Sequence, residues 1–262
     1  MFIIIASRAK PLSLSLCLMI NVPFLAADSI ITDRPDATES SSVVDKGTVQ
    51  LETGFLFADD STEESLESFG SLVRIGFAEK WEARIAWSGY IDFDSKSFGG
   101  SDGIGDAAIG FKYFIQPEQG FQPMTALILH INTPIGDDAF STDAFDPSFL
   151  VAFSHTLSET SSLGYNLGAS LESSAQASGE KTTLASIDYS ITYGFSVSES
   201  IGSYLEIFGS QGLSSPESPI NIDGGFTYLL DDDTQFDLFA GVGINDEAPD
   251  WFIGIGFAKG CR

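Results

Sequence analysis

The chain has 262 residues, 43% hydrophobic and only 19% charged, with 26 Gly and 22 Phe. Soluble domains carry about 25% charge, so this composition suits strands that meet lipid better than a soluble core. Acidic residues outnumber basic ones 37 to 12, which argues against nucleic acid as a partner, since a phosphate backbone is neutralised by lysine and arginine.

Residues 1–27 read as an export signal. Arg8 and Lys10 give a positive start, Leu12 to Leu25 is mostly apolar, and Ala26-Ala27 supplies small residues before Asp28. Pro11 and Pro23 bracket a run shorter than the roughly 20 residues of a membrane-anchoring helix. Lipidation at Cys17 is the weaker alternative, because Leu16 stands where a small residue is wanted. Beyond the signal no run reaches the roughly 18 apolar residues of a spanning helix, so any membrane span must be a barrel. Cys261 is then the one cysteine left, which excludes an intrachain disulfide and a multi-cysteine zinc site.

Residues 28–48 show no sustained periodicity and are expected to form an N-terminal arm. From Val49 onward, apolar residues recur at every second position, as one-sided strands require. Val49, Leu51, Phe55 and Phe57 make the first set; Phe69, Val73, Ile75 and Phe77 the second; Trp81, Ala83, Ile85 and Trp87 the third. The rhythm continues through Ile109 and Phe111, Leu127 and Leu129, Phe149 and Val151, Tyr165 and Leu167, and Ile187 to Tyr193. It ends with Leu205 and Ile207, Phe226 and Tyr228, Phe236 to Ile244, and Trp251 to Phe257. About 12 strands result by template matching, and residues 49–262 are assigned to an all-β, antiparallel barrel.

Ten charged residues, Glu52, Arg74, Glu82, Arg84, Asp106, Lys112, Asp188, Glu206, Asp223 and Asp237, share the parity opposite the apolar set. One face of the sheet is therefore greasy and the other ionic. A soluble sandwich shows the same alternation with its apolar face turned inward; bulky aromatics throughout, together with export, favour a lipid-facing belt and a charged lumen. Segments 58–68, 92–103, 132–146, 172–181 and 210–219 read as long loops, whereas 78–80, 157–160 and 230–233 read as tight turns. That asymmetry predicts long loops outside, short turns in the periplasm and both termini periplasmic, in the outer membrane of a Gram-negative cell.

Thr32-Asp33-Arg34-Pro35-Asp36, then Lys46-Gly47 and the strand from Val49 to Gly54, resemble the meta-pathway phenol-degradation-like outer-membrane family. Gly103 to Asp106 leading into Ile109 to Tyr113, Pro134-Ile135-Gly136, Asp223 to Tyr228, and Asn245 with Pro249 and Asp250 extend the similarity over nearly all the mature chain. The resemblance implies an outer-membrane barrel with a generic label of transporter, sometimes associated with catabolism of aromatic compounds. Family members usually finish on an aromatic residue, whereas here Phe257 is followed by residues 258–262. That tail either alters assembly or hangs free.

A barrel of about 12 strands leaves a constricted lumen. Its charges either pair with one another and close it or set a transverse field that selects solutes. The arm bearing Asp33, Arg34 and Asp36 either folds into the lumen as a plug, with Arg34 held by a carboxylate in bidentate fashion, or lies loose in the periplasm. No catalytic residue is assigned: His130 and His155 lack an obvious nucleophile and there is no Gly-x-Ser-x-Gly elbow. No cofactor is implied. The acidic runs at 59–64, 137–138 and 231–233 lack a calcium-loop pattern and offer no metal site beyond weak divalent-cation bridging to lipid phosphates. The expected function is passive passage of small solutes, including hydrophobic or aromatic compounds, with outer-membrane lipid as the surroundings. The alternative is a closed structural or surface-interaction barrel with acidic outer loops.

Overall fold

The computed structural model describes residues 29–97, 99–175, 181–213 and 218–262; the expected signal segment lies outside them. Fourteen strands follow one another without a helix among the described residues. They are β1 (Val49–Asp59), β2 (Glu63–Ala78), β3 (Trp81–Trp87), β4 (Tyr90–Ser95), β5 (Gly99–Ile104), β6 (Ala107–Gln116) and β7 (Met124–Thr133). Then come β8 (Pro147–Ser158), β9 (Ser161–Ala175), β10 (Lys181–Ser196), β11 (Ile201–Gly212), β12 (Ile220–Asp231), β13 (Thr234–Gly243) and β14 (Trp251–Cys261).

Neighbours pair antiparallel, β1 pairs with both β14 and β2, and the sheet closes on itself as a ring of 12 strands. Closure leaves the ring without a free edge, which is what allows a sheet to cross lipid. The two further strands arise because two ring strands break side by side. Gly89 (φ +85°) ends the segment of β3, and Gly105-Asp106 separates β5 from β6. Ser88 N donates to Asp106 O at 3.0 Å and Gly105 N to Gly89 O at 2.9 Å, so the breaks are stitched together. A side chain at Gly89 would sit 2.3 Å from Ser68 O, so both its φ and its crowding require glycine. β2 runs unbroken past both breaks, pairing first with β4 and then with β3. Phe69 (φ 63°) is the extra residue of its bulge opposite Gly54 and Phe55.

Several expected loops are in fact strand. Only residues 60–62 separate β1 from β2, and within 92–103 residues 92–95 belong to β4 and 99–103 to β5. β9 and β10 likewise extend into 172–181, and β11 into 210–219. Where the wall rises past the apolar belt both its faces meet polar surroundings, so the alternation disappears although the hydrogen-bond ladder continues. Residues 134–146 do lack strand structure. The tail after Phe257 does not hang free: β14 continues to Cys261, with Ala258 opposite Glu52 and Gly260 N bonded to Asp233 O.

The apolar parity faces outward. Ile85, Ile109, Leu129, Phe149, Leu167, Leu205, Phe226 and Leu238 are all exposed. Aromatic clusters such as Phe77 with Trp81 and Phe111, Trp81 with Tyr113, and Phe236 with Phe257 occupy the wall toward the short turns; Phe57 packs on Trp251 toward the other end. An apolar band edged by aromatic rings is what lipid contact selects. Leu129, with Phe111 and Phe149 as its cross-strand neighbours, sits within this band. Leu129→Arg should therefore lower stability in lipid vesicles by about 2–4 kcal/mol, read from denaturant-dependent refolding; an unchanged transition would show that this face does not meet lipid.

Candidate functional site

The arm enters the barrel and returns. Near its start Ile30 N donates to Asp232 O in the β12–β13 turn, and at its end Gly47 N donates to Gly76 O on β2. Between these anchors the chain crosses the lumen and meets two walls of opposite charge.

One wall carries Arg74, Arg84 and Lys112 from the adjacent strands β2, β3 and β6. Arg74 stands directly opposite Arg84, and Glu82 directly opposite Lys112. Three cations so close must be neutralised, because their side chains are buried. Glu82 and Glu52 reach Arg74 at 2.9 and 3.1 Å, and Glu82 reaches Arg84 at 2.9 Å. The arm supplies the remaining countercharge. Asp33 lies 2.7 Å from Arg84, 2.8 Å from Lys112 and 3.4 Å from Arg74, while both Glu39 oxygens accept from Arg84 at 2.8 Å. The backbone is held as well: Asp33 N and Arg34 N donate to Glu52, Val44 N to Glu82, and Lys112 donates to Ser40 O.

The other wall carries Glu206, Asp223 and Asp237 on β11, β12 and β13. Arg34 forks onto Asp237 through Nε (3.3 Å) and Nη2 (3.0 Å), the bidentate geometry that fits guanidinium to carboxylate. Room for that fork comes from Gly54 and Gly256, a cross-strand pair: a side chain at either would lie within 2.6 Å of the guanidinium. Ala37 N and Thr38 N donate to Glu206 at 2.7 and 2.8 Å, and the Thr38 hydroxyl also bonds Glu206. Asn166 brackets Glu39 by accepting from its N and donating to its O.

Burial pushes the Asp33 carboxyl up, but Arg74, Lys112 and Arg84 together outweigh it and hold the group well below the usual carboxylate range. Asp36 goes the other way. Burial, then the negative charge of Glu206, with smaller contributions from Asp223 and Asp33, push it well above its ordinary value.

Of the ten expected lumen charges, the structure gathers Glu52, Arg74, Glu82, Arg84 and Lys112 on one wall and Glu206, Asp223 and Asp237 on the other. Asp188 is half-buried beside Ser186. Asp106 stands apart: at the β5–β6 break it accepts from Gly136 N, Thr142 N and Asn132, tying down residues 134–146. Sequence reasoning missed Glu39, whose parity carries no signal in an irregular segment. It also missed Phe208, Phe239 and Phe252, which face the lumen with Tyr204 although apolar residues were expected outside. Their signal was aromatic residues at the ionic parity. Of the histidines, His130 occupies the space that a side chain at Gly110 would take and accepts from Arg84, and His155 stacks on Tyr165 near Glu118. Among the described residues no three acidic, histidine or cysteine side chains converge as a metal site. Asp60 and Asp231 instead cap their own turns.

Comparison with solved structures gives the fold a context. An outer membrane channel from Pseudomonas putida F1 superposes with a TM-score of 0.66 at 10% identity, covering 86% of this chain and 99% of that one. The NanC porin gives 0.55 at 10% identity over 80% and 98%, and the KdgM porin, solved with disordered oligogalacturonate, 0.50 at 9% identity over 81% and 98%. The fold is thus that of outer-membrane β-barrels. No curated protein matches the sequence. The family model described as "Putative MetA-pathway of phenol degradation" matches residues 32–258, from the arm into the last strand, and the chain belongs to that family.

Proposed function

We propose that the protein is a passive outer-membrane channel for small solutes, held shut at rest by residues 31–46 lying across its lumen. The observation that carries this reading is that Asp33 is gripped by Arg84 and Lys112 on β3 and β6 while Ala37 and Thr38, a few residues on, are gripped by Glu206 on β11, which the strand order of the ring puts opposite β3. A segment fastened to both sides of a pore obstructs it, yet it is fastened by ion pairs and hydrogen bonds rather than by an apolar core. Such contacts can be exchanged for water as the arm moves. In this reading the short turns and both termini face the periplasm, and hydrophobic or aromatic compounds are the solute class that the family description suggests.

A second reading has its own support. The near-complete pairing of Arg74, Arg84, Lys112, Asp33, Glu52 and Glu82 also suits a barrel that never opens. Planar bilayers separate the two. Asp33→Asn leaves three buried cations short of a countercharge, a defect worth about 3–5 kcal/mol, and should raise single-channel conductance above that of the unaltered protein. A bilayer that stays sealed with both proteins at every voltage would overturn the channel reading in favour of the closed barrel.

Acid should act through the same group. Because Asp33 is depressed when docked, its contribution is full above the ordinary aspartate value of 3.8 and is lost as pH falls through the lowered one. Asp36 has the opposite sign, since its raised value makes protonation favour the docked arm. Conductance should therefore stay low from neutral into mildly acidic solution and rise only below that range. Asp33→Asn should lack that acid step; an identical step in both proteins would assign it elsewhere.

The Arg34 clasp can be tested sterically. Gly256→Val places a side chain where the guanidinium lies and should increase both conductance and proteolytic cleavage within residues 31–46. Unchanged values for both would show that the fork does not hold the arm.

A further inference from the structure

Four residues along β13 from Asp237, the acidic wall changes character. Asp223 stands opposite Gly241, and the missing side chain there is replaced by two neighbours: the position a Cβ would take lies 2.2 Å from Phe252 Cζ and 2.6 Å from Asp223 Cβ. The Asp223 stem and the Phe252 ring thus share one spot on the wall. Phe208 lies 6.2 Å from Phe252, edge to face, and is directly opposite Asn221, which is on the same face of β12 as Asp223.

The polar atoms there are incompletely used. Asp223 Oδ2 accepts from the Tyr204 hydroxyl at 3.0 Å and the carboxyl otherwise meets that of Glu206, so among the described residues no basic or amide donor reaches Oδ1, and none reaches Asn221 Oδ1. Both residues are more than nine-tenths buried, at 5% and 7% exposure, where an acceptor without a donor is costly. Nearby Glu206 is already satisfied by Ala37 and Thr38. Among the described residues no lysine, arginine or histidine forms an ion pair with Asp223, Glu206 or Asp36. The wall therefore offers a negative charge, two buried acceptors short of a donor and aromatic rings, and lacks a cationic donor. A metal ion does not suit it, since among the described residues no three ligating side chains converge.

We infer that Asn221, Asp223, Phe208 and Phe252 form a lumenal binding site for a small organic ammonium ion with an apolar, aromatic-sized body. The ammonium would donate to Asp223 Oδ1 and Asn221 Oδ1, gaining charge-assisted hydrogen bonds, while the body packs on the rings and the cation meets their π faces. The inference rests on the proposal that solutes enter the lumen, and it names what that lumen prefers.

Equilibrium binding tests it without requiring transport. Titration of the full mature chain in nanodiscs with phenethylammonium and with its neutral counterpart 2-phenylethanol should show the cation binding at least about tenfold more tightly. Asp223→Asn, isosteric and still able to accept from Tyr204, should abolish that preference; Phe252→Leu should weaken both compounds. Asn221→Leu, which removes the second acceptor at similar volume, should cost the cation several-fold more than the alcohol. Equal affinities in the unaltered protein, or a preference that survives Asp223→Asn, would overturn the inference. A conducting channel without the preference overturns this site and leaves the passage proposal standing. A barrel that stays sealed yet prefers the ammonium supports the site and removes the passage proposal.

Discussion

The interior of this barrel is organised by one carboxylate. Asp33 lies within ion-pair distance of Arg84, Lys112 and Arg74, three cations on neighbouring strands with almost no exposed surface. Like charges packed so closely would repel one another, and burial would compound the cost, unless a negative group stood among them. The strands supply only Glu82 and Glu52. An irregular segment that precedes the first strand therefore becomes part of the interior. Its hydrogen bonds to Glu52, Glu82, Glu206 and Asn166 follow from being held at that point.

The two walls divide the remaining work. The basic side binds the acidic residues of the arm, whereas the opposite side takes Arg34 and tolerates Asp36 only with its carboxyl pushed toward the neutral form. The arm's charges thus match the walls at Asp33, Arg34 and Glu39 and clash at Asp36. That one mismatch keeps the acidic wall short of positive charge, and the aromatic rings beyond it are left beside a carboxylate without a cation.

Much of the wall was legible because a strand in a barrel has two different solvents, lipid and lumen, and its side chains alternate between them. The charged parity followed from the same fact. Legibility failed where one solvent replaced two. Glu63 to Glu67, Asp92 to Ser95 and Gly99 to Asp102 are paired strand, yet their sequence reads as loop since neither face there meets lipid. Phe208, Phe239 and Phe252 were hidden for a related reason: registers were set on apolar residues, so a ring at the charged parity carried no weight. The motif from Asp33 to Asp36 was conspicuous, but its seat was not, because Arg34 and Asp237 are 203 positions apart and nothing local links them.

The glycine pair beneath Arg34 has a consequence for the order of events in assembly. Gly54 belongs to the first strand and Gly256 to the last, and they face each other only where β1 meets β14. Asp237, on β13, completes the seat. Before the ring shuts these pieces are at opposite edges of an open sheet, and the arginine has nowhere to lodge. Insertion of the arm is therefore a late step that reports a finished seam: a barrel whose first and last strands have mispaired, even by one residue, would offer a side chain where the guanidinium needs a gap.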